Sequence, residues 1–177
     1  SSEQLLPCTA CSVQKEIGAV NAAAFDLNAA CSGFIVAYQM AAGQIKAGLS
    51  KKALLIGVEC LSNIVNWEDR GTCILFGDGA GAVVLGASEQ QGILSTHLFA
   101  DGRYGELLKL PQAQRGAENS DDAYMFMKGN DVFKVAVTRL SELVTQTLES
   151  NNIDKSELDW LVPHQANWRR SEERRVG

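Results

Sequence analysis

Hydrophobic and polar positions along this chain recur with several different periods, and each change of period predicts an element. Over 130–153, apolar residues fall at Val132, Phe133, Val135, Val137, Leu140, Leu143, Val144 and Leu148. That single stripe at helical spacing predicts an amphipathic helix with Asn130 as its N-cap. Residues 31–48 (CSGFIVAYQMAAGQIKAG) predict a buried helix ending at Gly48, and 8–18 a short helix with Gly18 near its end. The run AAAFDL (22–27) predicts a strand. KKALLIGVECL (51–61) predicts a buried strand bounded by charge, and CILFGDGAGAVVLGAS (73–88) two strand-like runs hinged on glycines. GILSTHLFADG (92–102) begins a further strand, and an acidic turn leads into a short strand, DWLV, that ends at Pro163 and His164. Residues 63–72 and 112–122 are polar and predict loops. Strands alternating with helices imply an α/β fold with a mostly parallel sheet.

The 177 residues, 46% of them hydrophobic, carry enough apolar material for a core. A formal charge of −5 leaves no global basic field to recruit nucleic acid or an anionic membrane. No run of apolar residues is long enough to span a bilayer. The start, SSEQLLPC, lacks a methionine and reads as the middle of something longer. Five cysteines, an odd number lying inside apolar stretches, predict free thiols in a reducing cytoplasm. Cys8 and Cys11 form a C-x-x-C. A zinc site would need a second such pair, and none follows; a redox pair would need presentation at a helix start. Packing is the preferred reading of the two, and Cys60 and Cys73 read as small core residues.

Cys31 stands out. It sits at a predicted strand-to-helix junction, where a helix N-terminus lowers a thiol pKa and offers free N–H groups. Its small neighbours Ala29, Ala30, Ser32 and Gly33 leave room for a substrate carbonyl. A buried, unreactive cysteine is the competing reading. His164, one of two histidines, lies at a predicted strand end, where open α/β sheets bind ligands, and could donate to an oxyanion or shuttle a proton. A hydrogen-bonded structural histidine competes with that reading, and His97 reads as a structural strand residue. FGDGAGA (76–82) formally fits a dinucleotide fingerprint but is followed by a strand pattern instead of a helix. Tight turns and close backbone approach are the better account of its glycines. Arg70 and Gly71, beside Trp67, could clamp a nucleotide phosphate and stack an adenine, or form an ordinary solvated loop with a surface ion pair.

Taken in order, AFDLNAACSGF, DRGTCILFGDGAGAVVL, STHLFADGRYGELL, KGNDVFKVAV and LDWLVPHQANWR resemble the β-ketoacyl-acyl carrier protein synthase III family, the initiating condensing enzymes of bacterial fatty acid synthesis. The resemblance implies a thiolase-like fold, layered αβαβα with two pseudo-repeated halves, truncated at both ends. Residues 1–88 would belong to the first half, 89–169 to the start of the second, and 170–177 to a non-native tail. It also implies that Cys31 takes the acyl group from acyl-CoA, with acetyl-CoA as primer, and that His164 helps decarboxylate malonyl-acyl carrier protein. Asn130, Phe133, Ala166 and Asn167 would line the pocket and pantetheine tunnel. Trp67, Arg70 and Gly71 would lie at the CoA nucleotide, and Arg169 on the rim that receives the carrier protein. No metal or resident cofactor is implied beyond CoA- and phosphopantetheine-linked substrates, and a cytoplasmic homodimer is expected.

The chain departs from the family pattern in lacking the N-terminal part, with an arginine and a tryptophan that help hold CoA, and the glycine-rich C-terminal strands that supply a second oxyanion donor. The family's third catalytic residue, an asparagine in an H-G-N-T-S segment, has no counterpart here, and RRSEERRVG replaces an apolar helix. The expectation is therefore an internal piece with impaired activity. The alternatives are a thiolase-like relative with another primer, a non-catalytic dimerisation partner, or a nucleotide-binding redox module.

Overall fold

A computed structural model of the protein describes residues 6–90, 92–111 and 124–164. The chain divides into two compact units: Ser1–Glu59 with Gly79–Glu89, and Cys60–Asp78 with Gln90–Gly177.

In the first unit, helix α1 spans Thr9–Glu16. Its N-cap, Cys8, supplies no side-chain hydrogen bond. The exposed donors of Thr9 and Ala10 point instead at the Asp26 carboxylate, at 2.9 and 2.8 Å. A carboxylate at this end satisfies two N–H groups that have no intrahelical acceptor and meets the positive end of the helix dipole. Asp26 lies in the segment predicted as a strand over 22–27. No strand forms there, because that stretch is held by the α1 terminus and, among the described residues, pairs with no ladder neighbour. Asp26→Ala is expected to lower stability by about 1 kcal/mol. Melting curves compared with those of Asp159→Ala, which removes an exposed carboxylate outside any helix, would check it; equal losses would remove the capping role from Asp26.

After a 3-10 turn at Ala30–Ser32, helix α2 runs Gly33–Lys46. Gly18 and Gly48 follow α1 and α2 with φ of 69° and 74°, the left-handed backbone that ends a helix and that a Cβ would strain. The prediction of a buried helix is corrected. Ala41 alone is buried on α2, while Phe34, Ile35 and Met40 stay exposed. Phe34 and Tyr38 lie one turn apart with ring centroids at 6.5 Å.

Strands β1 (Lys52–Cys60) and β2 (Asp78–Gly86) form a two-stranded sheet. Ser62, just past β1, bonds Asp78 at the start of β2, and a Cβ on Gly86 at the end of β2 would stand 3.9 Å from the Lys51 carbonyl before β1. The strands therefore run antiparallel, against the parallel arrangement predicted. β1 is also less buried than its continuous apolar run suggested: Leu55 is buried, and Leu54, Ile56 and Val58 are exposed. CILF forms turns and only the second of the two predicted runs is a strand. Gly77, Gly79 and Gly81 have nothing within 4 Å of where a Cβ would stand, so close approach does not explain them.

In the second unit, the stretch read as a polar loop holds the two most buried side chains among the described residues, Val65 and Thr72, each 1% exposed. Residues 92–100 form no strand; a 3-10 helix, Gly102–Leu107, follows, with Asp101 as its cap. Strand β3 (Leu108–Lys109) pairs antiparallel with β4 (Phe126–Met127), with Leu108 opposite Met127. Helix α3 spans Gly129–Ser150 with Lys128 at the N-cap position, so Asn130 sits inside the first turn instead of capping it. DWLV is reduced to a single bridge at Trp160, since a strand exists only where a neighbour supplies a ladder. The predicted loop at 112–122 lies outside the described residues.

Candidate active site

Cys31 is the middle residue of the 3-10 turn that feeds α2 and is solvent-exposed. The competing expectation of a buried thiol is therefore corrected. Ala30 before it has φ 46°, and its N–H is received by the Asn28 side chain at 3.3 Å. An alanine in the left-handed region costs about 1–2 kcal/mol. Such strain persists only where surrounding structure imposes it. Here it turns the chain sharply between the 22–29 segment and α2, so that the thiol leaves the backbone at the helix N-terminus, beside N–H groups without intrahelical acceptors.

His164 is exposed and follows Pro163 beyond the Trp160 bridge. It belongs to the second unit, with Trp67, Arg70, Gly71, Asn130 and Phe133, whereas Cys31 belongs to the first. Asn130 and Phe133 are three residues apart in the first turn of α3 and so share a face. Ala166, Asn167 and Arg169, and the tail from 170, lie outside the described residues. His97 is in no strand, and its Nε2 lies 2.9 Å from the Ser95 hydroxyl.

The loop 66–72 is built around a residue that the sequence reading passed over. The Asp69 carboxylate accepts from the Gly71 N–H at 2.8 Å and from the Thr72 hydroxyl at 2.7 Å. A Cβ on Gly71 would stand 3.0 Å from Asp69 Oδ1, so the bare α-carbon is what lets the carboxylate close the turn. Trp67 and Arg70 are thereby carried on an ordered turn while remaining exposed; among the described residues Arg70 makes no ion pair. The signal was present as D-x-G-T, an aspartate two residues before a glycine.

Several carboxylates are held below their ordinary range. At Asp69 the cause is the Thr72 hydroxyl and then the Gly71 N–H; at Asp78 it is Ser62, through hydroxyl and backbone. At Asp101 it is chiefly the Arg103 guanidinium, bonded at 2.8 and 2.6 Å, which brings the carboxyl from 3.8 to about 2. A depressed folded-state pKa contributes stability that is complete above the unfolded value and is lost as pH falls through the folded one. The melting temperature should therefore be flat above roughly pH 5 and fall steadily through the acid range toward pH 2. Asp101→Asn should flatten the lowest part of that decline, and a parallel pH profile for the variant would exclude Asp101 as a contributor.

Cys8 and Cys11 do occupy a helix start, with sulfurs 3.3 Å apart and both thiols free. Cys11 is pushed above the ordinary thiol value, first by its hydrogen bond with Cys8, then by burial and by the negative charges of Cys8 and Asp26. Among the described residues, no three His, Cys, Asp or Glu side chains gather as a metal site, and no helix is long and apolar enough to cross a membrane.

The family model for 3-oxoacyl-[acyl-carrier-protein] synthase III matches residues 25–102. Over 169 residues the chain is 58% identical to β-ketoacyl-[acyl-carrier-protein] synthase III of Yersinia pestis, covering 96% of this chain and 53% of that protein. The chain thus spans about half the length of the curated relatives it matches. Its fold superposes on 3-oxoacyl-[acyl-carrier-protein] synthase III from Aquifex aeolicus with a TM-score of 0.84 at 44% identity, over 95% of this chain and 52% of that one. The corresponding synthase from Pseudomonas aeruginosa gives a TM-score of 0.87 at 41% identity, over 96% and 52%. Along nearly its whole length the chain is therefore similar in sequence and fold to about half of a β-ketoacyl-acyl carrier protein synthase III, and its fold is thiolase-like.

Proposed function

We propose that this chain carries the acyl-accepting part of a decarboxylative condensing enzyme. The enzyme joins an acyl-CoA primer, acetyl-CoA, to malonyl-acyl carrier protein and yields a 3-oxoacyl-acyl carrier protein, the first condensation of fatty acid synthesis. The observation that carries the reading is the exposed Cys31 thiol, presented by a strained Ala30 at the start of α2 in a chain 58% identical to such a synthase.

In the first step Cys31 Sγ attacks the thioester carbon. The carbon–sulfur bond to CoA breaks, and CoA leaves as a thiolate that takes up the proton lost by Cys31. The backbone N–H of Cys31 donates to the oxyanion in this scheme, an interaction stronger in the transition state than in the ground state. In the second step the malonyl thioester loses CO₂, and its electron pair becomes an enolate. The imidazole of His164 donates from its Nε2–H to the enolate oxygen. The enolate carbon then attacks the acyl-cysteine, and Cys31 leaves as thiolate. Trp67 and Arg70, held out by the Asp69 turn, offer a ring and a guanidinium to the CoA nucleotide. Asn130 and Phe133, with Ala166 and Asn167, line the pantetheine path, and Arg169 meets the acidic carrier protein. The reading includes a cytoplasmic homodimer with no resident cofactor.

CO₂ release from malonyl-acyl carrier protein tests the second step. His164→Ala should reduce release by about 10²–10³-fold, the usual cost of losing one oxyanion donor, while leaving acyl label on Cys31. Equal release from the two proteins, including none from either, would sink the assignment of His164.

A further inference from the structure

The geometry points to a thiol–disulfide exchange site at Cys8 and Cys11, acting on a small-molecule disulfide of the oxidised glutathione class and distinct from the acyl-accepting cysteine. Cys8 is the N-cap of α1 and Cys11 lies in its first turn, so the two residues are neighbours on one helical face. Their sulfurs are 3.3 Å apart, in hydrogen-bond contact and unbridged, and neither residue is buried. A disulfide needs about 2.05 Å between sulfurs, so closing the pair takes an approach of roughly 1.2 Å by side-chain rotation.

The exchange balances without any further reactant. The Cys8 thiolate, its proton lost to solvent, attacks one sulfur of the external disulfide and forms a mixed disulfide, and the first small thiolate leaves. Cys11, after losing its own proton to solvent, attacks Cys8 Sγ, forms the Cys8–Cys11 bond and expels the second small thiolate. The two departing thiolates recover the two protons. The pair gives up two electrons, and the small disulfide is reduced to two thiols.

Both thiols also face the Ala24 carbonyl, Cys8 at 4.0 Å and Cys11 at 3.6 Å. Oxidation removes the Cys11 S–H donor from that carbonyl, in the segment that leads through Asp26 to Cys31. Cys11, raised above the ordinary thiol value, gains no thiolate stabilisation of the kind that makes some C-x-x-C disulfides strong oxidants.

The full chain, incubated with excess oxidised glutathione, alkylated and mapped by mass spectrometry, gives the test. The expected result is a peptide containing Cys8 and Cys11 that is lighter by two hydrogens. Alkylation at both residues should fall about tenfold and recover with a reductant. Cys11→Ser should instead accumulate a stable glutathione adduct on Cys8. A wild-type chain that keeps a mixed disulfide at either residue, or in which both remain fully alkylated, would overturn the inference.

Discussion

Cys31→Ala is expected to abolish covalent labelling of the chain by radiolabelled acetyl-CoA, with a loss on the order of a thousandfold or more in acyl transfer. The size of the effect follows from the chemistry: removing the atom that forms the covalent bond removes the pathway, whereas removing a positioning group only slows it. Cys60 and Cys73 are less exposed than Cys31 and do not sit at the start of an α-helix, so they provide internal controls. Cys60→Ala and Cys73→Ala should label as the wild type does. Equal labelling of wild type and Cys31→Ala would remove the thiol from the reaction. Ala30→Gly adds a finer reading. Glycine adopts φ 46° without strain, so stability should rise by about 1 kcal/mol while the thiol becomes less firmly placed. Faster unfolding with unchanged labelling would contradict that account.

Leu55→Ala should be the most damaging single truncation on β1, lowering stability by roughly 2–4 kcal/mol through lost burial and the cavity left behind. In a chain of this length each kcal/mol moves the melting temperature by roughly 2–4 °C. Leu55 is 7% exposed and its neighbour Ile56 43%, so Ile56→Ala should cost under about 1 kcal/mol. The two positions are adjacent and face opposite sides of the sheet, which makes the pair of melting curves a direct measure of which side is packed. Equal losses would mean that the exposed side is covered by something in solution.

Much of the framework was legible in periodicity. The stripe from Val132 to Leu148 marks α3 within a few residues, and the run after Lys51 marks β1, because spacing and length are local properties. What failed depends on neighbours. AAAFDL and DWLV have strand composition, yet a ladder needs a partner, and a composition cannot say where that partner lies. Strand direction was missed for the same reason: the alternation of elements favours a parallel sheet, while the Ser62–Asp78 contact fixes an antiparallel pair. Burial was misjudged in both directions. Phe34 and Ile35 belong to an apolar helix and are exposed, whereas Val65 and Thr72 lie in a polar stretch and are the most enclosed. Within the candidate site, Cys31 and His164 are the residues that carry a direct chemical signature in the sequence. Asp26 and Asp69 were not singled out, because what each does is hold backbone N–H groups, and a carboxylate in that role looks like any surface acid until the chain is folded.

The stretch between β1 and β2 leaves and re-enters at one place, with Ser62 donating to Asp78 from both its N–H and its hydroxyl, at 2.8 and 2.6 Å. Residues 63–77 are thus tied at their base, and within the second unit the Ile64 carbonyl also accepts from the Met125 N–H at 2.8 Å. Exchanging this stretch for the equivalent piece of another synthase would change the exposed tryptophan and arginine together with the aspartate-centred turn that presents them, and would leave the strands on either side joined as before.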